Sequence, residues 1–179
     1  MSIPHKHKRT KLFSSIFASD TTLFDVAIKK MSLDFGNVDF VSAIQKFDYT
    51  NYYQNEFGEF LSRRFVSFKK LICPEELVNI KIRTNEIEKD FIANNHRCVN
   101  IDPGYIALQH VILATCKGFA HRPYLRDGIY ADLTLVYQDK NYKALEWTYP
   151  DYANENTREM FGKIRAVYHE QLCSEGNQV

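Results

Sequence analysis

Residues 117–126 of this chain, KGFAHRPYLR, hold its densest group of side chains that could do chemistry. Lys117, His121 and Arg122 fall within six positions of one another. Arginine offers a planar fork of donors to a carboxylate or phosphate, lysine a point charge, and histidine exchanges protons near neutral pH. We therefore predict an anion-binding corner in which Lys117 and Arg122 hold the anion, although a basic surface loop explains the same residues.

Two aspartates are candidates to act with His121 as general acid and base. Asp132 lies in the alternating segment IYADLTLVY (129–137), where an ordinary solvated strand face is the alternative. Asp102 precedes Pro103-Gly104 in NIDPGY, and a turn whose carboxylate accepts backbone N–H bonds is the favoured explanation there. The candidate catalytic residues are accordingly His121, Asp132 and Asp102.

Aromatic residues close to these charges predict the walls of a pocket, because a tyrosine combines a flat apolar ring with a polar end. This role fits Tyr105, Tyr124 and Tyr149, together with Asp151. Tyr149 and Asp151 belong to WTYPDY (147–152), for which a structural corner packed by Trp147 is the alternative. The ligand-binding candidates are Lys117, Arg122, Tyr105, Tyr124, Tyr149 and Asp151.

Alternating strands and helices must position these residues. Ser19 or Asp20 is expected to cap the first helix, Gly36 to end it, and Pro74 to open the second. Hydrophobic periodicity predicts strands at 11–18, 38–47, 60–68, 98–101, 110–116 and 129–137, a hairpin through 138–141, helices at 20–35 and 74–91, and a final helix from Asn154 or Asn156 to Leu172. Residues 105–113 remain open to strand or buried helix.

This order predicts one α+β domain over residues 11–173, between a flexible basic tail (1–10) and a flexible C-terminus (174–179). The sheet is expected to be mainly antiparallel, with a ferredoxin-like β-α-β-β-α-β order, an added β-hairpin and a C-terminal helix. In strand 129–137 the alternation assigns Ile129, Ala131, Leu133 and Leu135 to the core and Tyr130, Asp132, Thr134 and Val136 to the other face.

Composition excludes several classes of protein. The chain has 179 residues, 25% of them charged, and a formal net charge of +1, which argues against a nucleic-acid partner. No apolar run approaches the roughly 20 residues that span a bilayer, so no membrane association is expected. The four cysteines form no C-x-x-C pair, which predicts reduced thiols in a cytoplasmic protein. Phosphate-binding and zinc-binding motifs are absent, so we predict no metal and no cofactor.

Eight motifs together resemble an uncharacterised bacterial family, domain-of-unknown-function family 4416. They are KLFSSIFASD, YTNYYQNEFG, RRFVSF, IKIRTNEIE, VNIDPGY, LATCKGFAHRPYL, GIYADLTL and WTYPDY. NIDPGY, K-x-x-x-H-R and WTYPDY occur in this order, and the resemblance extends from about Lys11 to the last helix. It implies a cytoplasmic bacterial protein of one domain and implies no activity.

The sequence thus predicts a protein that binds, or acts on, an anionic or phosphorylated small molecule in a Lys/His/Arg/Asp/Tyr pocket. A non-catalytic protein-interaction module is the rival, with the Tyr-rich segment DYTNYY (48–53) as one contact surface. An RNA-binding domain is the third hypothesis, because the β-α-β-β-α-β order is also that of an RNA-recognition motif. It ranks last because RRFVSF (63–68) fits the signature of that motif only loosely. No residue pattern selects a reaction, a protein partner or an oligomeric state.

Overall fold

The computed structural model describes residues 2–47, 61–93 and 96–176. Its strands are β1 Thr10–Ala18, β2 Val38–Val41, β3 Gln45–Phe47, β4 Leu61–Ile72, β5 Ile92–Ala93, β6 His96–Arg97, β7 Val99–Ile106, β8 His110–Thr115, β9 Tyr124–Arg126, β10 Ile129–Gln138 and β11 Asn141–Ala144. Its helices are α1 Leu23–Phe35, α2 Leu77–Lys89 after a 3-10 turn at Pro74–Glu76, α3 Pro150–Ala153 and α4 Glu155–Gly176. The Tyr-rich segment DYTNYY (48–53), proposed as a contact surface of an interaction module, lies outside the described residues.

Nine strands form one antiparallel sheet in the order β11-β10-β8-β7-β1-β4-β2, with β3 beside β4 and β9 beside β10. Strands β5 and β6 form a separate small ribbon. The predicted α+β class and mainly antiparallel sheet are therefore confirmed. The ferredoxin-like order stays a prediction, because the short strands β3, β5 and β6 interrupt the predicted succession.

The sheet has helices on both faces, and this explains why every residue of its central strand β1 is buried. Leu12 and Ile16 point toward α1 and α2, where they share a core with Phe24 and Met31. The intervening Phe13 points to the opposite face and packs edge-on against Phe161 of α4, with ring centroids 4.9 Å apart. Successive residues of a strand face opposite sides, so the apolar residues of this one buried strand contribute to both cores.

Several local predictions were wrong. Residues 38–47 form two short strands with a break at 42–44. The first helix begins at Leu23 rather than directly after Asp20, whose carboxylate instead accepts bonds from Thr22. The alternative left open for residues 105–113 resolves as strand, since β7 ends at Ile106 and β8 begins at His110, as predicted for 110–116.

The predicted turn at Pro103-Gly104 is also wrong, because β7 runs straight through both residues. Pro103 pairs with Ser14 and Gly104 with Phe13 of β1. Strand β8 pairs with β7 only from Gly104 onward, so the missing N–H of Pro103 costs no hydrogen bond on that side. A Cβ atom on Gly104 would lie 2.4 Å from the carbonyl oxygen of Ile112 and 2.7 Å from the Phe13 ring. Glycine is needed here for close packing rather than for a turn.

This packing predicts that Gly104→Ala destabilises the protein by about 1–3 kcal/mol, the usual cost of overpacking a core. Urea unfolding followed by circular dichroism measures the change. Gly162→Ala is the matched control, because a Cβ there meets no atom within 4 Å and alanine favours a helix by up to about 1 kcal/mol. Equal stability of Gly104→Ala and the wild-type chain would contradict the argument.

Candidate functional site

A cleft of about 770 Å³ opens at the end of the sheet where β1 and β8 finish and β7 begins. We call it the main cleft. Its apolar surface comes from Phe17, Phe47, Leu113, Ala114 and Tyr152. Its polar lining comes from α2, β7, β10, the segment after β8 and the start of α3: Lys81, Asn85, Glu88, Asn100, Asp102, Cys116, Lys117, Arg122, Asp132, Tyr149 and Asp151, together with Thr115 of β8 and Arg97 of β6.

Arg122 is held from three directions. Its Nε donates to Asp132 Oδ2 at 2.7 Å, its Nη1 to the Lys117 carbonyl oxygen at 3.2 Å, and its Nη2 to the Tyr149 hydroxyl at 2.9 Å. Burial alone would lower the pKa of Arg122, but the hydrogen bonds to Tyr149 and Asp132 outweigh that effect and raise it. The guanidinium therefore stays charged and fixed in orientation.

Asp132 is buried, with 5% of its surface exposed, and its neighbour Thr134 is 1% exposed. The solvated face considered for this part of β10 is thus wrong, and Leu133, predicted to be core, is only half-buried. Alternation holds up to Leu133, which packs with Ile129 against the α2 core, and the other face is buried at Asp132 because Arg122 and His121 cover it. Asp132 consequently lies in a polar layer at the wall of the main cleft.

His121 lies behind Asp132 rather than in the lining of the cleft. Its ring stacks on Trp147 with centroids 5.1 Å apart, and Phe119 packs against it. Its Nε2 is 3.7 Å from Asp132 Oδ2 and makes no hydrogen bond to any residue that the structure describes. Trp147 itself donates to the Leu133 carbonyl oxygen. His121 is therefore close enough to Asp132 to act on that carboxylate, but the imidazole does not line the cleft.

The opposite wall is built around Lys81 of α2. Its Nζ donates to Asp102 Oδ1 and to the Ile101 carbonyl oxygen, both at 3.0 Å, and Asn100 donates to Asp102 Oδ2 at 2.7 Å. Lys81 is buried, and this pairing compensates for the desolvation of its ammonium group. Asp102 therefore anchors a lysine across the cleft from Arg122, rather than closing a turn.

Glu88 lies seven residues, about two helical turns, beyond Lys81 on α2. Its carboxylate accepts from the Ile101 N–H at 2.6 Å and from Arg97 Nη1 at 2.7 Å. Burial raises the pKa of Glu88, although Lys81, the Ile101 N–H and Arg97 oppose that rise. Together Glu88 and Arg97 fasten the end of α2 to β6 and β7.

Asp151, predicted from WTYPDY, forms a buried ion pair with Arg63 of β4. Arg63 also donates from Nε to the Ser15 hydroxyl at 2.9 Å. The guanidinium lies over the rings of Phe65 and Tyr152, 4.2 and 4.4 Å from their centroids. Burial raises the pKa of Tyr152, so its hydroxyl stays protonated beside this pair.

The predicted site residues divide into three groups. Those that line the main cleft are Asp102, Lys117, Arg122, Asp132, Tyr149 and Asp151. His121 touches the cleft only through Asp132. Tyr105 and Tyr124 do not line it: Tyr105 packs against His110 and the core, and Tyr124 is exposed beside Tyr130.

Sequence reasoning missed Lys81, Glu88 and Arg63. The sequence held a signal for the first two. Lys81 follows Leu77 by four residues and Glu88 follows Thr84 by four, so both charged residues lie on the buried face of the helix. A charged residue on such a face must be paired or must line a polar site. Arg63 carried a weaker signal, since alternation along β4 placed it on the same face as Phe65.

Over the described part of the chain, no helix is both long and apolar enough to cross a membrane. The same residues contain no group of three or more His, Cys, Asp or Glu side chains arranged to hold a metal ion.

A family model described as "Domain of unknown function (DUF4416)" matches residues 8–168. Neither a curated protein nor a solved structure matches the chain.

The buried Arg63–Asp151 pair predicts a large effect for Asp151→Asn. This change keeps the volume but leaves the Arg63 charge without its counter-ion, which costs about 3–5 kcal/mol in buried pairs. Urea unfolding measures the loss. Asp127→Asn is the matched control, because the Arg126–Asp127 pair is half-exposed and should contribute less than about 1 kcal/mol. Equal losses in the two variants would refute the buried-pair argument.

Proposed function

We propose that this chain, which belongs to the DUF4416 family, binds an anionic small molecule, carboxylated or phosphorylated, in the main cleft. One observation carries the proposal: Arg122 is preoriented at the cleft with donors to spare. A guanidinium has five N–H groups, three of which go to Asp132, Lys117 and Tyr149, and this leaves two. Two N–H groups in one plane match two oxygens of a carboxylate or phosphate.

Lys81 supports the same proposal from the opposite wall. Its ammonium has three N–H groups, of which two are bound to Asp102 and the Ile101 carbonyl, so one remains for a ligand. In both cases the carboxylate behind the cation fixes its position, as an outer-shell partner fixes the ligand of a metal site. A cation that is already oriented loses little conformational entropy when an anion binds.

The charge of the lining also favours an anion over a cation. Lys81, Arg97, Lys117 and Arg122 face Glu88, Asp102, Asp132 and Asp151, so the formal charges cancel four against four. Arg63 stands directly behind Asp151 and pairs with it, which adds a fifth positive charge beside the lining. The remaining balance is positive. A cleft of about 770 Å³ with Phe17, Leu113 and Tyr152 in its wall suits a small molecule with an apolar part.

Acid–base chemistry belongs to the proposal as a second step. Asp132 lines the cleft, so Asp132 would touch the ligand, and His121 would act through it as a positioning residue. Asp102 stands in the same relation to Lys81. We keep the cytoplasmic location expected from the sequence as part of the proposal. All four cysteines are free thiols, which agrees with that location.

The rival interaction module is favoured by one observation. Phe119 and Tyr124 are 69% and 60% exposed and lie outside the lining of the main cleft. Exposed aromatic rings are typical of protein interfaces. This alternative predicts that Phe119→Ser and Tyr124→Ser abolish binding of a protein partner while leaving small-molecule binding unchanged.

A thermal-shift screen tests the proposal. We expect a phosphorylated or carboxylated metabolite at about 100 times its Kd to raise the Tm of the wild-type chain by several degrees, because ligand binding adds about 2.7 kcal/mol under that condition. Arg122→Gln should lose most of this shift. Arg126→Gln is the matched control, because Arg126 lies four residues away outside the cleft and should leave the shift intact.

Two results would sink the proposal. The first is a wild-type chain that no member of a broad anion library stabilises. The second is an Arg122→Gln protein that remains folded and is stabilised as much as the wild type. Each variant is compared with its own ligand-free Tm, so a loss of intrinsic stability does not distort the comparison.

A further inference from the structure

We propose a second binding site, for a single carboxylate or phosphate-sized oxyanion, in a separate cavity at the beginning of α4. This second cavity has a volume of about 220 Å³. Its lining includes Lys46 and Phe47 of β3, Arg63 of β4, and Asn154, Asn156 and Thr157 around the start of α4. The volume exceeds what one water molecule needs and accommodates a small oxyanion.

An incompletely paired arginine is the first observation behind this site. Arg63 lines the second cavity and is 2% exposed. Its Nη1 pairs with Asp151 and its Nε with Ser15, but its Nη2 is buried without a hydrogen-bond partner among the described residues. The aromatic rings beneath the guanidinium stabilise its charge but lie over its face, whereas its N–H groups point outward in its plane. A buried donor left in this state is costly, and an oxyanion would satisfy it.

The helix terminus supplies the second observation. Helix α4 is 22 residues long, and the N–H groups of its first turn have no partners within the helix. The Asn156 N–H is bound by the Asn154 side chain at 2.9 Å, which leaves the neighbouring Thr157 to offer its N–H and hydroxyl from the cavity lining. The partial positive charge at a helix N-terminus favours anions. Arg63 and the N-terminus of α4 therefore border the same cavity, where both would attract an anion.

The balance of charge in the second cavity agrees with an anionic occupant. Asp151 is the carboxylate in its lining, and Arg63 is already paired with it. Lys46 adds a positive charge, and the remaining polar groups are the neutral amides and hydroxyl of Gln45, Asn154, Asn156 and Thr157. The formal charges of the lining side chains sum to +1, and the N-terminus of α4, whose first turn carries Glu155, borders the same cavity.

The second site is distinct from the function proposed for the main cleft. Phe47 and Asp151 line both cavities and form the wall between them. Arg122 and Lys81 line only the main cleft, whereas Arg63 and Thr157 line only the second cavity. The residues that carry the two proposals therefore differ, although Arg63 also pairs with Asp151, which lines both cavities.

Nuclear magnetic resonance with inorganic phosphate as the probe tests this site directly. Phosphate replaces chloride at constant ionic strength while the backbone amides of the wild-type chain are followed. We expect saturable shifts of the Asn156 and Thr157 amides, with a Kd of about 1 mM or tighter. The first-turn amides of α1, Leu23 and Phe24, serve as an internal control, because the arginine beside that helix end, Arg64, is partly exposed and pairs with Asp25 of the same turn.

Variants then assign the binding. Arg122→Gln disables the main cleft and should leave the Thr157 shift and its Kd unchanged. Arg63→Gln should weaken phosphate binding about tenfold or more, and Thr157→Val, which keeps the side-chain volume, should weaken it several-fold. Should Arg63→Gln not fold, the wild-type titration and Thr157→Val still decide the question.

Three outcomes would overturn the second site. One is a wild-type chain with no saturable shift at Asn156 or Thr157. Another is a shift of equal size at the first turn of α1, which would reduce the effect to general ion–helix attraction. The third is a folded Arg63→Gln protein with unchanged affinity. None of them bears on ligand binding in the main cleft, which is read from Arg122→Gln in the thermal-shift screen.

Discussion

Charged side chains removed from water must be paired, and this constraint organises the structure around the main cleft. Desolvating an isolated charge costs several kcal/mol, which exceeds what one polar contact returns. Arg63–Asp151, Lys81–Asp102, Arg97–Glu88 and Arg122–Asp132 all obey the constraint. In each pair the two partners come from different elements, so the pairs also fix how those elements meet. Toward the other end of β1, Lys11 with Asp39 and Gln171 follows the same rule.

The centre of the sheet is shielded from water on both faces, and this makes the formation of such charge pairs favourable. Strand β1 is buried throughout, and α1, α2 and α4 supply two apolar cores around it. These cores hold α2 and β7 in a register that brings Lys81 to Asp102. At the open end of the sheet the apolar cover stops, and the paired charges there face a cleft instead of another side chain. Polar donors are thereby rigid and still accessible, which is the condition for selective anion recognition.

Much of the fold could be predicted from periodicity, because strands and helices each bury one face in a characteristic spacing. The β10–β11 hairpin followed from QDKN, and Asp139 and Lys140 do adopt positive φ angles there. NIDPGY was misread because Pro and Gly are common in turns, whereas here Gly104 makes room for Ile112 and Phe13. Asp132 was placed on an exposed face because alternation cannot anticipate that Arg122 and His121, from the segment before β9, cover that face.

The sequence by itself determined the class of fold, the elements and six residues that prove to share one cleft, because local spacing and residue chemistry are encoded in neighbouring positions. Only the tertiary structure decided which charge meets which. Lys81 reaches Asp102 across 21 positions, and Arg63 reaches Asp151 across 88. The same holds for His121, which lies behind Asp132 because Trp147 stacks on its ring. Contacts between residues so far apart along the chain depend on sheet order and register, which no local pattern records.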